Sequence, residues 1–186
     1  MKYISLLRGI NVSGQKKINM DDLKSLYEKV GLQDVVTYIQ SGNVIFSSDN
    51  KNKPDLCALP DLCTLIEKAI EKKYKFHVPV EIRTHRELSN IIKNCPFGSV
   101  DIEQEGTKVL VTFLSSKPLK GKLGKALEYA ATSEKLVLEG KEVYLYCPNG
   151  YGKSKLSNTF LEKTLGVGAT TRNWKSVNQL YELSMS

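Results

Sequence analysis

The order of periodic segments in the first 84 residues constrains this chain more than any other feature. Residues 2–8 alternate and are rich in β-formers, a strand. Asn19 then stands where an N-cap belongs, and Asp22 falls at the third helical position. Leu23, Leu26, Tyr27 and Val30 recur at helical spacing until Gly31 stops the run. Two β-rich runs follow, residues 35–40 and 43–48, joined through Ser41-Gly42 as a hairpin. A polar, proline-marked loop over residues 49–60 leads into a helix over 61–74, and a strand over 78–84 closes the set. The order β-α-β-β-α-β is the split β-α-β arrangement of ferredoxin-like folds.

The remainder repeats most of that order. The pattern predicts a helix near residues 86–93, a polar stretch over 96–106, a strand over 108–115 and a helix over 119–131. A second hairpin pairs 136–138 with 142–146 around Gly140-Lys141, and a helix runs from about 154 to 165. An apolar turn and a last helix over 173–183 stand in place of a final strand. The expectation is an α+β protein of two ferredoxin-like units, with antiparallel or mixed sheets and helices on one face. Residues 1–84 form the first unit (βαββαβ). Residues 85–186 form a second unit of similar βαββα order with an extra C-terminal helix. No sequence identity links the halves, so the repeat is one of topology.

At 186 residues, 41% hydrophobic and 25% charged, the chain can bury a core without covalent staples. Its four cysteines, Cys57, Cys63, Cys95 and Cys147, contain no C-x-x-C pair, and only His77 and His85 are available beside them. That spacing predicts neither a zinc centre nor a disulfide framework, and no cofactor or metal is expected. The first apolar run is broken by Ser5 and Arg8, too short for a signal-peptide core, and no stretch reaches membrane-spanning length. The expected location is the cytoplasm. A formal charge of +7 gathers at Lys16-Lys17, Lys72-Lys73 with Lys75, and the 117–125 run. Such an excess raises affinity for phosphate-rich partners, although lysine runs also serve as plain solvated surface.

Three constellations stand out. The first is Arg8-Gly9-Ile10-Asn11 with Ser41-Gly42-Asn43. In a β-α-β-β-α-β unit the end of the first strand lies on a middle strand, so Arg8 is central and must find a partner or face a cleft. Asn11, Ser41 and Asn43 can orient a polar ligand, or merely bond their own loops. The second is Cys147-Pro148-Asn149-Gly150-Tyr151-Gly152-Lys153-Ser154-Lys155. It approaches the phosphate-binding G-x-x-x-x-G-K-S loop, but Cys147 replaces the first glycine and the preceding strand belongs to a hairpin. A helix start here, with Lys153 and Lys155, can still hold an anion, or the run can be a turn capped by Ser154. The third is Thr170-Thr171-Arg172-Asn173-Trp174-Lys175, which resembles a helix N-terminus. Arg172 can fork onto a phosphate or carboxylate while Trp174 stacks a ring, or Trp174 can simply anchor the last helix.

These runs carry a family resemblance. Residues 3–12 (Tyr3 to Val12), 37–44 (Thr37 to Val44) and the tail Thr170 to Trp174, in that order, are similar to the bacterial family named domain of unknown function 1697, as is the G-x-G-K-S-K run from Gly150 to Lys155. The resemblance implies a cytosolic bacterial protein of two ferredoxin-like units, and it implies no activity.

No His, Cys, Asp or Glu stands in residues 7–14 or 38–46, so the groups that usually move protons near neutral pH are missing from those two stretches. The reading is a binding protein rather than an enzyme, with no catalytic residue assigned. A phosphate- or carboxylate-bearing small ligand would sit between the two units, with Arg8, Asn11, Ser41, Asn43, Lys153, Lys155, Arg172, Asn173 and Trp174 as its contacts. The alternative is a nucleic-acid-binding module using the basic surface. Its stacking candidates on the central strands, Tyr3 and Phe46, are few.

Overall fold

The computed structural model describes residues 1–48, 59–119 and 121–185. Most of the loop expected over 49–60, with Cys57, lies outside the described residues. The described chain is α+β, with two four-stranded antiparallel sheets and seven α-helices. It divides into one unit of Met1–Leu88 with Leu180–Ser186, and another of Ser89–Gln179.

In the first unit β1 (Lys2–Leu7) is followed by α1 (Met20–Lys29), β2 (Gln33–Tyr38), β3 (Asn43–Ser47), α2 (Leu59–Tyr74) and β4 (Val80–Thr84), after which α3 (His85–Lys93) begins. The Asn19 side chain accepts the Asp21 and Asp22 N–H groups, which fixes where α1 starts. Its end is a Schellman turn. Gly31, at φ +90°, donates to Glu28 and Leu32 donates to Tyr27. The strands order as β2-β3-β1-β4, every neighbour antiparallel.

Period-two alternation gives β1 two roles. Tyr3 and Leu7 join Val44, Phe46, Val80 and Ile82 beneath α1 and α2, and Ser5 bonds the Tyr27 hydroxyl at 2.7 Å on the same face. Leu62, Ile66 and Ile70 recur every fourth residue along α2 and are fully buried there. Each contributes about 1.5–3 kcal/mol by leaving water. Tyr3 stacks on Phe46 at 5.5 Å within this core, so neither ring is open to a nucleic-acid base.

In the second unit α4 (Ile102–Glu105) interrupts the polar stretch. Then come β5 (Val109–Leu114), α5 (Leu123–Tyr129), β6 (Lys135–Glu139), β7 (Glu142–Tyr146), α6 (Asn158–Leu165), β8 (Ala169–Asn173) and α7 (Trp174–Met185), whose residues from Leu180 onward belong to the first unit. The sheet order is β6-β7-β5-β8. Leu110, Leu114, Val143 and Leu145 pack under Ala126 of α5 and Leu161 and Leu165 of α6.

Two expectations fail in this half. The apolar turn and helix start expected around residues 169–173 are instead the strand β8, paired with β5 from Ala169 opposite Leu114 to Asn173 opposite Leu110. The β-branched Thr170-Thr171 pair suits a pleated surface, and no loop separates β8 from α7 to betray the boundary. Asn173 is both the last strand residue and the cap of the next helix, its Oδ1 accepting the Ser176 N–H at 2.8 Å. The helix expected from Ser154 begins only at Asn158, capped by Ser157. The G-K-S run is a 3-10 turn over Tyr151–Lys153, closed by Lys153 N–H to Gly150 and Ser154 N–H to Tyr151.

The two units therefore repeat the same strand order, down to one residue. Arg83 of β4 lies opposite Ile4, and Arg172 of β8 lies opposite Val111, in the equivalent register of each sheet. Each guanidinium donates to the carbonyl just before it, Ile82 at 3.0 Å and Thr171 at 2.9 Å. Each is followed by a capping residue, Thr84 or Asn173, and then by a helix. Among the described residues no helix is long and apolar enough to cross a membrane.

Candidate anion-binding site

Arg8, Asn11, Ser41 and Asn43 gather at one end of the first sheet, where two loops are laced together. Leu7 donates its N–H to Gly42 at 2.8 Å, and Arg8 donates its N–H to Pro79 at 2.9 Å. Asn11, at φ +55°, accepts the Ile18 N–H on Oδ1 at 2.9 Å and donates through Nδ2 to the carbonyls of Ile18 (3.0 Å) and Gln40 (2.9 Å). Asn43 is fully buried and donates to the Tyr38 carbonyl and the Ser41 hydroxyl, both at 3.0 Å. These amides orient their own loops. Gly42 is required for packing as well as for its φ of +80°, because an added Cβ would lie 2.6 Å from Ile10 Cδ1.

The second and third motifs touch through Tyr151, whose hydroxyl donates to Thr171 Oγ1 at 3.3 Å. Lys153 and Lys155 are exposed around the 3-10 turn. Along β8 adjacent side chains alternate. Thr171 bonds Asn158 of α6 at 2.6 Å, so Thr171 and Asn173 share the helix side while Arg172 points to the other. Arg172 is only 9% exposed, and burial pulls its pKa down to about 10. Trp174 is 4% exposed, so its ring is held in the interior.

The Cys63, Cys95 and Cys147 thiols and the His85–Ser184 pair are poorly placed to move protons. Burial pushes the Cys63 thiol up to about 12, Cys147 up to about 11 against an opposing hydrogen bond from Ser154, and Cys95 up as well. Near pH 7 they stay protonated and are weak nucleophiles. In a cavity of about 500 Å³ in the first unit, His85 Nδ1 lies 2.8 Å from Ser184 Oγ. Ser184 donates its one proton to the Tyr181 carbonyl at 2.7 Å, so it accepts from His85 Nδ1–H. That direction is the reverse of a serine activated by a histidine base.

A cavity of about 530 Å³ in the second unit has the chemistry that the motifs lack. Lys122, Lys125 and Tyr129 recur at i, i+3 and i+7 along α5, and Phe160, Lys163 and Thr164 at i, i+3 and i+4 along α6. Ala126 on α5, with Leu161 and Leu165 on α6, turns inward to the core, which leaves these stripes to line the space between the helices with Gly121. Tyr129 and Phe160 meet with ring centroids 4.9 Å apart, and Tyr129 remains 55% exposed. Among the described residues none of the three ammonium groups pairs with a carboxylate. Among the described residues no Asp or Glu lines the cavity. A larger cavity of about 830 Å³ beside Phe97 and Tyr146 is lined by Glu105 and Glu134 as well as Lys135, so its walls carry both signs and do not select an anion. The sequence shows Lys122 and Lys125 only as part of a lysine run. Their facing partners lie some 40 residues away on α6, and nothing local in the chain announces that adjacency.

The chain belongs to the family described as protein of unknown function (DUF1697), whose model matches residues 1–144, as the motif resemblance led us to expect. The solved structure of a conserved bacterial protein from Streptococcus pneumoniae is similar to this chain with a TM-score of 0.69, at 22% identity, over 98% of each chain. That likeness is one of fold. Among curated proteins the search finds no match.

Proposed function

We propose that this protein binds a small ligand bearing phosphate or carboxylate, and that the anion is taken by Lys122, Lys125 and Lys163 between α5 and α6. The observation that carries the reading is a cavity that, among the described residues, is lined by three ammonium groups without a carboxylate partner and by no carboxylate. Such a site repels itself when empty and is relieved by an anion, and charge-assisted hydrogen bonds to that anion are worth about 1.5–3 kcal/mol each. The volume falls inside the usual range of small-ligand pockets, roughly 300–1,000 Å³.

On this reading Asn11, Ser41 and Asn43 are architectural, as are Asn173 and Trp174. Asn11 and Asn43 have their amides engaged, Asn173 caps α7, and Trp174 is interior. We read each unit as ferredoxin-like, supported by the order β2-β3-β1-β4 and its repeat β6-β7-β5-β8. A cytoplasmic location goes with the reading, supported by three free cysteine thiols. Nucleic-acid binding is the weaker alternative. Lys16 and Lys73 lie over Phe76 and Tyr74, and Lys73 also pairs with Asp22, so part of the basic surface serves its own unit.

A thermal-denaturation screen against phosphates and organic acids tests this. The expected result is a concentration-dependent rise in Tm, about 2.7 kcal/mol of added stability at a hundred times Kd. The rise should be absent in the Lys125→Gln, Lys163→Gln double variant. A rise of equal size in that variant would overturn the assignment.

A further inference from the structure

The lysines explain an anion but leave the aromatic half of the cavity unused. Tyr129 is 55% exposed although it touches Phe160, and a tyrosine on a short helix gains little from standing half in water. The tilted 4.9 Å ring contact restrains Tyr129, and its exposed part offers a flat group an aromatic surface at little cost in ordering. Cations line the same cavity from both helices, Lys122 at the N-cap of α5, Lys125 on α5 and Lys163 on α6. Lys122 Nζ is itself located, lying 3.3 Å from where a Cβ on Gly166 would stand, beside the C-terminal cap of α6.

We propose that the ligand of this cavity is a mononucleotide-like molecule, its heteroaromatic ring stacked on Tyr129 and its phosphate held by Lys122, Lys125 and Lys163. This rests on the anion-binding reading above and narrows it. The ring-and-phosphate chemistry is shared by a free nucleotide and by a nucleic-acid strand, and two observations favour the free nucleotide. Strand binders present successive stacking rings along a groove, whereas this cavity holds one aromatic pair. A space of about 530 Å³ suits one nucleotide rather than several.

The test is calorimetric titration of the full chain with four probes: AMP, ribose 5-phosphate, inorganic phosphate and a ten-residue oligothymidylate. AMP should bind at least about ten-fold more tightly than ribose 5-phosphate, the stacking contribution of one base. Tyr129→Leu, which keeps an apolar contact to Phe160, should abolish that difference while leaving ribose 5-phosphate unchanged. Lys163→Gln should weaken both. Equal affinity for AMP and ribose 5-phosphate would overturn the nucleotide assignment and leave the anion site standing. No binding of any phosphate would overturn the nucleotide and the phosphate form of the anion reading together. Oligothymidylate binding more tightly than AMP, with a steep loss in salt, would overturn the mononucleotide in favour of a strand.

Discussion

A methyl group at position 42 would sit 2.6 Å from Ile10 Cδ1 and 2.8 Å from Leu7 Cβ, on a backbone at φ +80°. Gly42→Ala therefore combines left-handed strain with overpacking, and should lower the unfolding free energy by about 2–4 kcal/mol in a denaturant titration. Gly14→Ala isolates the first cause. Its φ of +76° is similar but nothing lies within 4 Å, so the loss should be nearer 1 kcal/mol. The sequence shows that Ser41-Gly42 turns the chain; that the turn is pressed against Ile10 belongs to tertiary structure. Buried thiols give the residue scale a pH signature. Cys63 and Cys147 have folded-state pKa values raised to about 12 and about 11 from an ordinary 9. The stability they contribute is complete below pH 9 and is lost as pH rises through those values, because the unfolded chain sheds these protons first. Arg172 acts in the opposite sense, its buried cation becoming less unfavourable above about pH 10. The unfolding free energy should thus fall with pH above 9, and Cys63→Ala with Cys147→Ala should make that slope shallower. An unchanged slope would contradict the assignment.

Each unit ends with a strand that passes into a helix without a loop, and the junction is held by one capping residue. Thr84 and Glu87 form a reciprocal capping box on α3, with Glu87 N–H to Thr84 Oγ1 at 3.1 Å and Thr84 N–H to Glu87 Oε2 at 2.8 Å. Asn173 caps α7 alone. Thr84→Ala and Asn173→Ala should each cost about 1 kcal/mol, with Thr84→Ser and Asn173→Asp recovering most of it, as read from chemical denaturation. α1 was fully legible because its start and stop are both local signals, Asn19 and Gly31. β8 was not, because a strand of Thr-Thr-Arg-Asn has no apolar alternation to mark it and its partner β5 lies some 60 residues earlier. The same holds for Arg83 and Arg172, whose equivalence is visible only once both registers are known.

For the molecule as a whole, a charge of +7 ensures some weak attraction to any polyanion, and that attraction should fall steeply between low and physiological salt. Binding in the α5–α6 cavity should respond to salt far less than a polyelectrolyte contact does, since a small phosphate meets only three lysines. The sequence made the strand and helix order of the first unit and the family readable from short-range pattern. It pointed toward an anion at the glycine- and amide-rich motifs, where the Asn11, Asn43 and Asn173 side chains bond their own loops and cap α7. The lysines of the α5–α6 cavity belong to two helices whose adjacency is a property of the folded unit. The most direct test is a titration of the isotopically labelled protein with inorganic pyrophosphate, followed by amide NMR shifts. The account predicts saturable shifts concentrated at residues 121–129 and 160–166. Shifts concentrated at residues 8–11 and 40–43, or spread over every lysine run without saturation, would contradict it.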